Sequence, residues 1–398
     1  MCSDIFFMER AIALGRHSLP WAGVNPAVGA LLVADGLVLG EGYHRGPGTP
    51  HAEAAAIADA FKTMSALPTL PPGTTLYCTL EPCCHSGAGK RTPPCTEAII
   101  AAGVERVVFA CGDPNPLVSG RGAARLREAG LVVEEGLLAQ SAAELIDSFT
   151  VSIRDKRPFI RLKWAQSLDG RIACRGGASR WVTNQAARDA AHDLRACHDA
   201  ILIGANTLRV DDPQLTPRSA GNAVHGPAAK DRSATRAGPR RLVLAGQRPL
   251  NMAARLFSPS LREGTTVLAA TASPALGQCR DAEIRVIEIG GDESGLPDLE
   301  ESFHALYADG VGSVMVEGGA TLHTSLLKRG LWDALTVFVA PLILGEGVAA
   351  VGDLGILSPN QGIAFEEFRV EAGAGFARID ARRGETEISK GRQPCLRD

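Results

Sequence analysis

The sequence predicts an α/β protein built from two successive domains. Three observations lead there. Short apolar runs alternate with helical patterns along the chain. The 398 residues exceed one ordinary domain and suggest about two to three. A charged, proline-ended stretch, Ser152–Pro158 (SIRDKRP), interrupts the alternation. The boundary is placed there, giving domains at residues 1–150 and 157–390.

In the first half, Ser3 or Asp4 can cap a helix with Ile5, Met8 and Ile12 on one face. Val28–Ala34 and Leu37–Leu39 are joined by Asp35-Gly36, a strong hairpin signal. His51–Phe61 is alanine-rich and reads as a helix. Thr75–Leu80 reads as a strand, and Cys95–Ala102 as a helix stopped by Gly103. A strand at Val104–Ala110, a helix at Gly122–Ala129 closed by Gly130, and a strand from Leu131 to Val133 follow. Such strand–helix–strand units imply a layered α/β domain.

The second half offers strands at Phe159–Trp164, Ala200–Ile203, Leu242–Ala245, Thr266–Ala269, Arg285–Ile289, Ser313–Val316 and Leu335–Val339. Helices are expected at Gln185–Cys197, Leu299–Ala308 and Thr321–Lys328. Phe365–Val370 and Phe376–Ala381 read as an antiparallel hairpin. Ser219–Pro239 lacks periodicity and reads as a surface loop, with a lid as the alternative.

Composition narrows the function classes. Hydrophobic residues make up 45% and charged residues 21%, enough to build full cores. Forty-one basic against 44 acidic residues leave a net charge of −3, which argues against a dedicated nucleic-acid or membrane-surface binder. The most apolar stretch, Ala334–Leu344, is too short to span a bilayer. Asp4, Glu9 and Arg10 interrupt any export signal. The expected location is therefore the cytosol, with the ten cysteines reduced.

Reduced cysteines that cluster invite a metal reading. His51-Ala52-Glu53 opens a helix, and Glu81-Pro82-Cys83-Cys84 and Thr92-Pro93-Pro94-Cys95 follow. This is close to the zinc-deaminase pattern H-x-E…P-C-x-x-C, with a longer spacing between Cys83 and Cys95. One imidazole and two thiolates suit Zn²⁺ and leave a fourth position for water. Zinc lowers the pKa of water from ~16 to about 7, and Glu53 can carry the proton to a leaving amine. The alternative is a structural zinc with Cys84 or His85 as fourth ligand, which leaves Glu53 without a role. Cys78 and Cys111 read as buried core thiols. Asn25 and Asn115, taken alone, read as turn residues beside proline, and His44 as a surface histidine.

A second constellation holds Lys163 to Arg171 (KWAQSLDGR), Ser179-Arg180-Trp181, Arg195, Gly204-Ala205-Asn206-Thr207, Asp211 to Arg218 (DDPQLTPR) and Val316 to Thr321 (VEGGAT). A glycine pair at a strand-to-helix turn lets backbone N–H groups reach phosphate oxygens. The same pair can be a tight turn and no more.

The first half also carries, in order, Asn25-Pro26-Ala27-Val28-Gly29, Gly42-Tyr43-His44, His51-Ala52-Glu53, Thr79-Leu80-Glu81-Pro82-Cys83, Thr92-Pro93-Pro94-Cys95 and Asp113-Pro114-Asn115-Pro116. With these motifs the chain resembles the bifunctional riboflavin-biosynthesis deaminase/reductase family. The resemblance implies a cytidine-deaminase-like α/β/α domain followed by a dihydrofolate-reductase-like domain. The first would deaminate a diaminopyrimidinone bearing a phosphoribosylamino group. His51, Cys83 and Cys95 would hold zinc, Glu53 would be catalytic, and Asn25, His44, Asp113 and Asn115 would line the substrate pocket. The second would use NADPH to turn the ribosyl group into ribityl. Ser179, Arg195, Leu215, Arg218 and Glu317 would contact substrate, with Lys163 and Asp169 near the reacting ribose. Ala165, Trp181, Thr207, Asp211 and the turn Gly319, Ala320, Thr321, Leu322, His323, Thr324 and Ser325 would contact NADPH. The family suggests a homodimer.

Two departures stand out. The metal loop CCHSGAGKRTPPC is longer than the family's usual form, which affects Ser86–Arg91. After Leu242-Val243-Leu244 the family places an acidic or hydroxyl residue, whereas Ala245-Gly246 stands here. That removes a side-chain hydrogen bond to the cofactor and opens the choice between NADPH and NADH. The competing readings are a nucleoside or nucleic-acid zinc deaminase with a non-catalytic nucleotide-binding second domain, and a protein that binds zinc and nucleotide without catalysis.

Overall fold

A computed structural model of the chain describes residues 3–19, 22–64, 68–85, 93–116, 119–179, 182–217 and 238–384. Trp181, Arg218, Ser86–Arg91 and all but the last two residues of Ser219–Pro239 lie outside them. The chain forms two compact units, the first made of Met1–Pro158 with the short return Tyr307–Gly312 and the second of most of the chain from Phe159 onward.

In the first unit the order is α1 (Asp4–Ser18), β1 (Gly29–Ala34), β2 (Leu37–Tyr43), α2 (Ala52–Thr63), β3 (Thr75–Leu80), α3 (Cys95–Ala101), β4 (Arg106–Cys111), α4 (Arg121–Glu128), β5 (Val132–Glu135) and α5 (Ala139–Asp155). The sheet runs β2-β1-β3-β4-β5. Its β1 is antiparallel to β2 and β3, while β3, β4 and β5 are parallel. The hairpin turn has φ of 50° at Asp35 and 76° at Gly36, the paired positive values that a two-residue hairpin demands. The buried face of α1 is Phe7, Met8, Ala11 and Ile12. Ile5, expected there, is 50% exposed, because Phe7 and Ala11 rotate the apolar stripe away from it.

Helix α5 was not expected. Its Ala142, Leu145, Ile146 and Phe149 fall at helical spacing and are buried. The charged stretch at Ser152 is therefore its last turn, closed by Lys156 at φ 55°. Cys78 is buried as expected, but Cys111 is half-buried and points its thiol at the Ala139 carbonyl, 3.1 Å away. Two glycines of β2 meet α2 backbone to backbone. A Cβ at Gly42 would lie 2.2 Å from the Ala52 oxygen, and one at Gly40 would lie 2.4 Å from the Ala56 oxygen. Ala52, Ala56 and Ala60 are buried on the facing side.

The second unit comprises β6 (Phe159–Ser167), β7 (Arg171–Cys174), α6 (Gln185–Ala196), β8 (Ala200–Gly204), α7 (Ala205–Asp211), β9 (Arg240–Leu244), β10 (Thr265–Ala270), α8 (Pro274–Asp281), β11 (Arg285–Ile289), α9 (Leu299–Ala308), β12 (Ser313–Val316), α10 (Ala320–Arg329), β13 (Ala334–Ala340), β14 (Gly347–Ala349), β15 (Phe365–Gly373) and β16 (Phe376–Arg383). Nine strands form one sheet in the order β11-β10-β9-β8-β12-β6-β13-β16-β15. From β11 to β13 neighbours are parallel, and β16 and β15 close the sheet antiparallel. The parallel strands β8, β10, β12 and β13 read as mostly apolar runs because both faces are covered. The short helices α7 and α8 were not expected. No helix among the described residues is long and apolar enough to cross a membrane.

Candidate functional site

The first unit holds a cavity of about 410 Å³ at the end of β3. His51 is the extended residue that opens α2, Cys83 follows β3, and Cys95 is the first residue of α3. Three elements thus converge their ends on one point. The Nδ1 atom of His51 lies 3.5 Å from Cys83 Sγ and 3.2 Å from Cys95 Sγ. All three donor atoms lie within 4.8 Å of one another. A tetrahedral ion with bonds of about 2.0–2.3 Å sets its donors about 3.3–3.8 Å apart. The cradle therefore fits a divalent ion. Its chemistry agrees, since burial of two thiols beside a carboxylate needs a cation to balance the charged forms. The Cys95 N–H also points at Cys83 Sγ from 3.4 Å, which favours the thiolate.

Glu53 sits in the first turn of α2, 4% exposed, and lines the cavity. Burial, with the neighbouring Cys83 charge, pushes its pKa up to about 7, the range of an acid that can both take and give a proton. The backbone contact at Gly42 falls on Ala52, between His51 and Glu53. This close approach seats metal ligand and acid together against the sheet.

Asn25, His44, Asp113 and Asn115 all line this cavity. His44 corrects the surface reading: it is 4% exposed, with Nδ1 3.2 Å from the Pro50 carbonyl oxygen. Burial pushes its pKa down, which favours the uncharged ring. The Asp113 carboxylate accepts from the Asn115 N–H at 2.8 Å, shaping the loop that carries both. His85 lines the cavity, yet the three-donor cluster does not include it or Cys84.

The wall residues that sequence reasoning missed include Phe149 and Glu81, beside Pro47, Gly48 and Thr49. Phe149 comes from α5, whose period-3.6 stripe was the available signal. Glu81 was quoted within a motif and given no role. Its buried carboxylate accepts from the N–H groups of Gly120 (2.9 Å), Ala123 (3.1 Å) and Asp113 (3.4 Å). It thereby ties the α4 N-terminus and the Asp113 loop to the end of β3, at the helix end that favours an anion.

The second unit holds a cavity of about 650 Å³. Glu317, Gly204 and Leu244 line it from the C-terminal ends of β12, β8 and β9, and Lys163 from the middle of β6, close to the usual ligand position in open α/β sheets. Glu317 is flanked by Lys163 Nζ at 3.4 Å and by the Arg195 guanidinium, whose Nη2 is 2.9 Å away. Burial alone would raise the Glu317 pKa, but Arg195 and Lys163 hold it well below the carboxylate range. Ser179 also lines the cavity.

Of the expected cofactor contacts, Ala165, Thr207, Asp211, Gly319, Ala320, Thr321, Leu322 and Ser325 line it. Thr207 Oγ1 accepts from the Gly319 N–H at 3.1 Å, and the ten-residue α10 starts at the next residue. A bare backbone and a helix N-terminus in a long cavity fit a dinucleotide pyrophosphate.

Four expected residues are placed elsewhere. His323 is on the buried face of α10, with Nε2 3.3 Å from the Val316 oxygen. Thr324 bonds the Ala320 oxygen and the Gly352 N–H. On a helix a run of seven consecutive residues cannot share one face. Leu215 packs in the apolar core with Leu208 and Phe257. Asp169 accepts from Ser167 Oγ (2.6 Å) and from the N–H groups of Leu344 (3.1 Å) and Gly345 (2.7 Å). The Ser167 hydroxyl and these N–H groups pull its pKa down to about 2. Asp169 thus locks a turn and does not line the cavity.

Comparison with known proteins fits both cavities. Residues 1–111 match the cytidine and deoxycytidylate deaminase zinc-binding region, and residues 158–373 match the RibD C-terminal domain. The riboflavin biosynthesis protein RibD of Escherichia coli is 37% identical over 92% of this chain and 96% of its own length. That of Aquifex aeolicus is 37% identical over 92% and 95%. Acinetobacter baumannii RibD superposes with a TM-score of 0.79 at 34% identity, covering 96% and 99% of the two chains. A Thermotoga maritima protein described as a diaminohydroxyphosphoribosylaminopyrimidine deaminase/5-amino-6-(5-phosphoribosylamino)uracil reductase gives 0.76 at 32%, covering 96% and 98%. The expected order of a deaminase-like and a dihydrofolate-reductase-like domain is the one the chain has. With a zinc cradle in one unit, a dinucleotide cleft in the other and likeness along nearly its whole length, the chain belongs to the RibD family of bifunctional riboflavin-biosynthesis deaminase-reductases.

Proposed function

We propose that the chain hydrolyses the amine from 2,5-diamino-6-(5-phosphoribosylamino)pyrimidin-4(3H)-one and then reduces the ribosyl side chain of the product to ribityl with NADPH. The deaminase is assigned to residues 1–150 and the reductase to residues 157–390. One observation carries the reading most directly: a three-donor His51/Cys83/Cys95 cradle and a buried acid, Glu53, face the same cavity.

When bound, zinc supplies Lewis acidity and brings the pKa of water down to about 7. The Glu53 carboxylate takes a proton from the attacking water and delivers it to the departing amine nitrogen, so the ring carbon gains oxygen and ammonia leaves. Asn25, His44, Asp113 and Asn115 hold the pyrimidine. In the second cavity NADPH supplies the hydride. Ser179, Arg195, Arg218 and Glu317 hold the phosphorylated substrate, and Lys163 brings an ammonium to the reacting ribose. The Glu317 carboxylate positions that ammonium and the Arg195 fork at once. Ala165, Trp181, Thr207, Asp211, Gly319, Ala320, Thr321, Leu322 and Ser325 hold the cofactor, with Ala320 and Thr321 offering backbone N–H groups to its pyrophosphate. Asp169, His323 and Thr324 support these walls from behind.

The protein works as a homodimer in the cytosol. Edge strand β15 exposes Phe368 (60%) and Val370 (58%) two residues apart, an apolar strip of the kind that a second copy covers. Among the described residues Cys78, Cys84, Cys111, Cys174, Cys197 and Cys279 form no disulfide, which suits a reducing compartment.

The test incubates the zinc-loaded protein with the diaminopyrimidinone phosphate and NADPH. Ammonia and nicotinamide absorbance are followed together, and one ammonia and one NADPH per substrate are expected. Turnover of cytidine or tRNA with no action on the pyrimidine phosphate would support a nucleoside or nucleic-acid deaminase instead.

A further inference from the structure

We propose that Arg329, at the far end of α10, recognises the 2′-phosphate of NADPH and sets the preference for NADPH over NADH. This rests on the cofactor reading above and adds a residue to it.

NADPH carries two anionic features, the pyrophosphate and the 2′-phosphate. NADH has only the first. Helix α10 offers two matching features on one face. Its N-terminal backbone opens on the cavity at Ala320 and Thr321, and Leu322, Ser325 and Arg329 continue along the same wall. These positions follow helical spacing, and Arg329 lies about 13 Å along the axis from Ala320. The cavity extends across the strand ends in the same way. It runs from Lys163 on β6 past β12 and β8 to Gly246 just beyond β9, three strand spacings or about 14 Å.

Only two cations occur among the described residues that line this cavity, Lys163 and Arg329. Lys163 is engaged by Glu317 at the substrate end. Beyond the end of β9, Ala245 and Gly246 line the same cavity as Arg329. Ala245 is buried, and the Gly246 oxygen accepts from Ser273 Oγ at 2.9 Å. Neither residue offers a side-chain hydrogen bond to a phosphate.

Arg329 is held at the rim. Its guanidinium is 3.1 Å from Asp292 Oδ2 and 3.2 Å from Asp298 Oδ2, and its side chain is 40% exposed. A guanidinium has five N–H donors in a fixed fork that matches phosphate. The two aspartates aim that fork, and their charge tempers its affinity for an anion.

The experiment titrates the apo protein with NADPH, NADH, 2′,5′-ADP and 5′-AMP by calorimetry. The wild type should bind NADPH more tightly than NADH, and 2′,5′-ADP more tightly than 5′-AMP. Arg329→Gln should weaken NADPH and 2′,5′-ADP roughly 10- to 100-fold while leaving NADH within about twofold. Arg329→Lys should fall between. Asp292→Asn keeps the Oδ1 acceptor that orders Ser294 and Leu296, removes the charge, and should tighten NADPH a few-fold. Equal losses for NADPH and NADH in Arg329→Gln, or no loss for either, would overturn the assignment. A wild type that binds neither dinucleotide would instead overturn the cofactor reading beneath it.

Discussion

Replacing Glu81 by alanine tests whether a residue outside the metal cradle positions the pyrimidine-binding loop. Its carboxylate accepts three backbone N–H groups, from Gly120, Ala123 and Asp113, at 2.9, 3.1 and 3.4 Å. Net contributions of hydrogen bonds to a charged group run about 1.5–3 kcal/mol. The longest of the three counts least, so the alanine variant should lose about 3–5 kcal/mol locally. At about 2–4 °C per kcal/mol for a unit of this size, the melting transition of the first unit should fall by roughly 10 °C. The released N–H groups belong to the α4 N-terminus and to the loop bearing Asp113 and Asn115. The pyrimidine KM should therefore rise about tenfold or more while zinc stoichiometry stays at one. Glu81→Gln keeps one acceptor oxygen and should recover part of both effects. Calorimetry, metal analysis and initial rates of ammonia release give the three readouts. Unchanged melting and unchanged KM in Glu81→Ala would refute the reasoning. Loss of zinc in step with activity would show that Glu81 serves the metal and not the loop.

The remaining expectations use other parts of the molecule. Glu53→Gln should abolish ammonia release while retaining zinc and the reduction of pre-deaminated substrate; near-normal deamination would remove Glu53 from catalysis. Glu317→Gln leaves Arg195 and Lys163 buried without their shared carboxylate. It should cost about 3–5 kcal/mol of stability and most of the NADPH oxidation, read by chemical denaturation and absorbance. Because Glu317 is depressed in the folded state, its contribution is complete above the unfolded carboxylate pKa of about 4.3 and is lost as pH falls below it. The gap between wild type and Glu317→Gln should therefore narrow below about pH 4. Gly42→Ala drives a methyl to 2.2 Å from the Ala52 oxygen and should cost at least about 1–3 kcal/mol. Zinc occupancy should fall with it, and full occupancy with unchanged melting would show that the helix can retreat.

Much of the fold could be read from the residues, and the reasons are local. Asp35-Gly36 has one favoured conformation between two apolar runs, so the hairpin was visible. The strands β3 and β12 stand out as short apolar runs between turn signals. Helix α5 was hidden because its Ser and Thr positions break the visual stripe, although Leu145, Ile146 and Phe149 obey it. The signal for α8 was present and unread: Ser273 caps it and Pro274 takes the first turn. The zinc trio was legible because ligand chemistry restricts residue type and spacing. Asp169, Leu215, His323 and Thr324 were harder. Whether a side chain faces a cavity, a core or a turn depends on a rotation that sequence order does not carry. Glu81 illustrates the same limit, since its partners lie 32 to 42 residues away.

The seam at Gly40 and Gly42 has a consequence for how the deaminase unit responds to change. Most helices rest on their sheets through a cushion of side chains, which can change rotamer and absorb a small displacement. Here main chain rests on main chain, and the cushion is missing. Any strain on β2 passes undamped into the first turn of α2, where imidazole and acid are mounted side by side. Sequence drift elsewhere on this helix can be graded, but at the seam it is felt as a step: the mount is either seated or it is not.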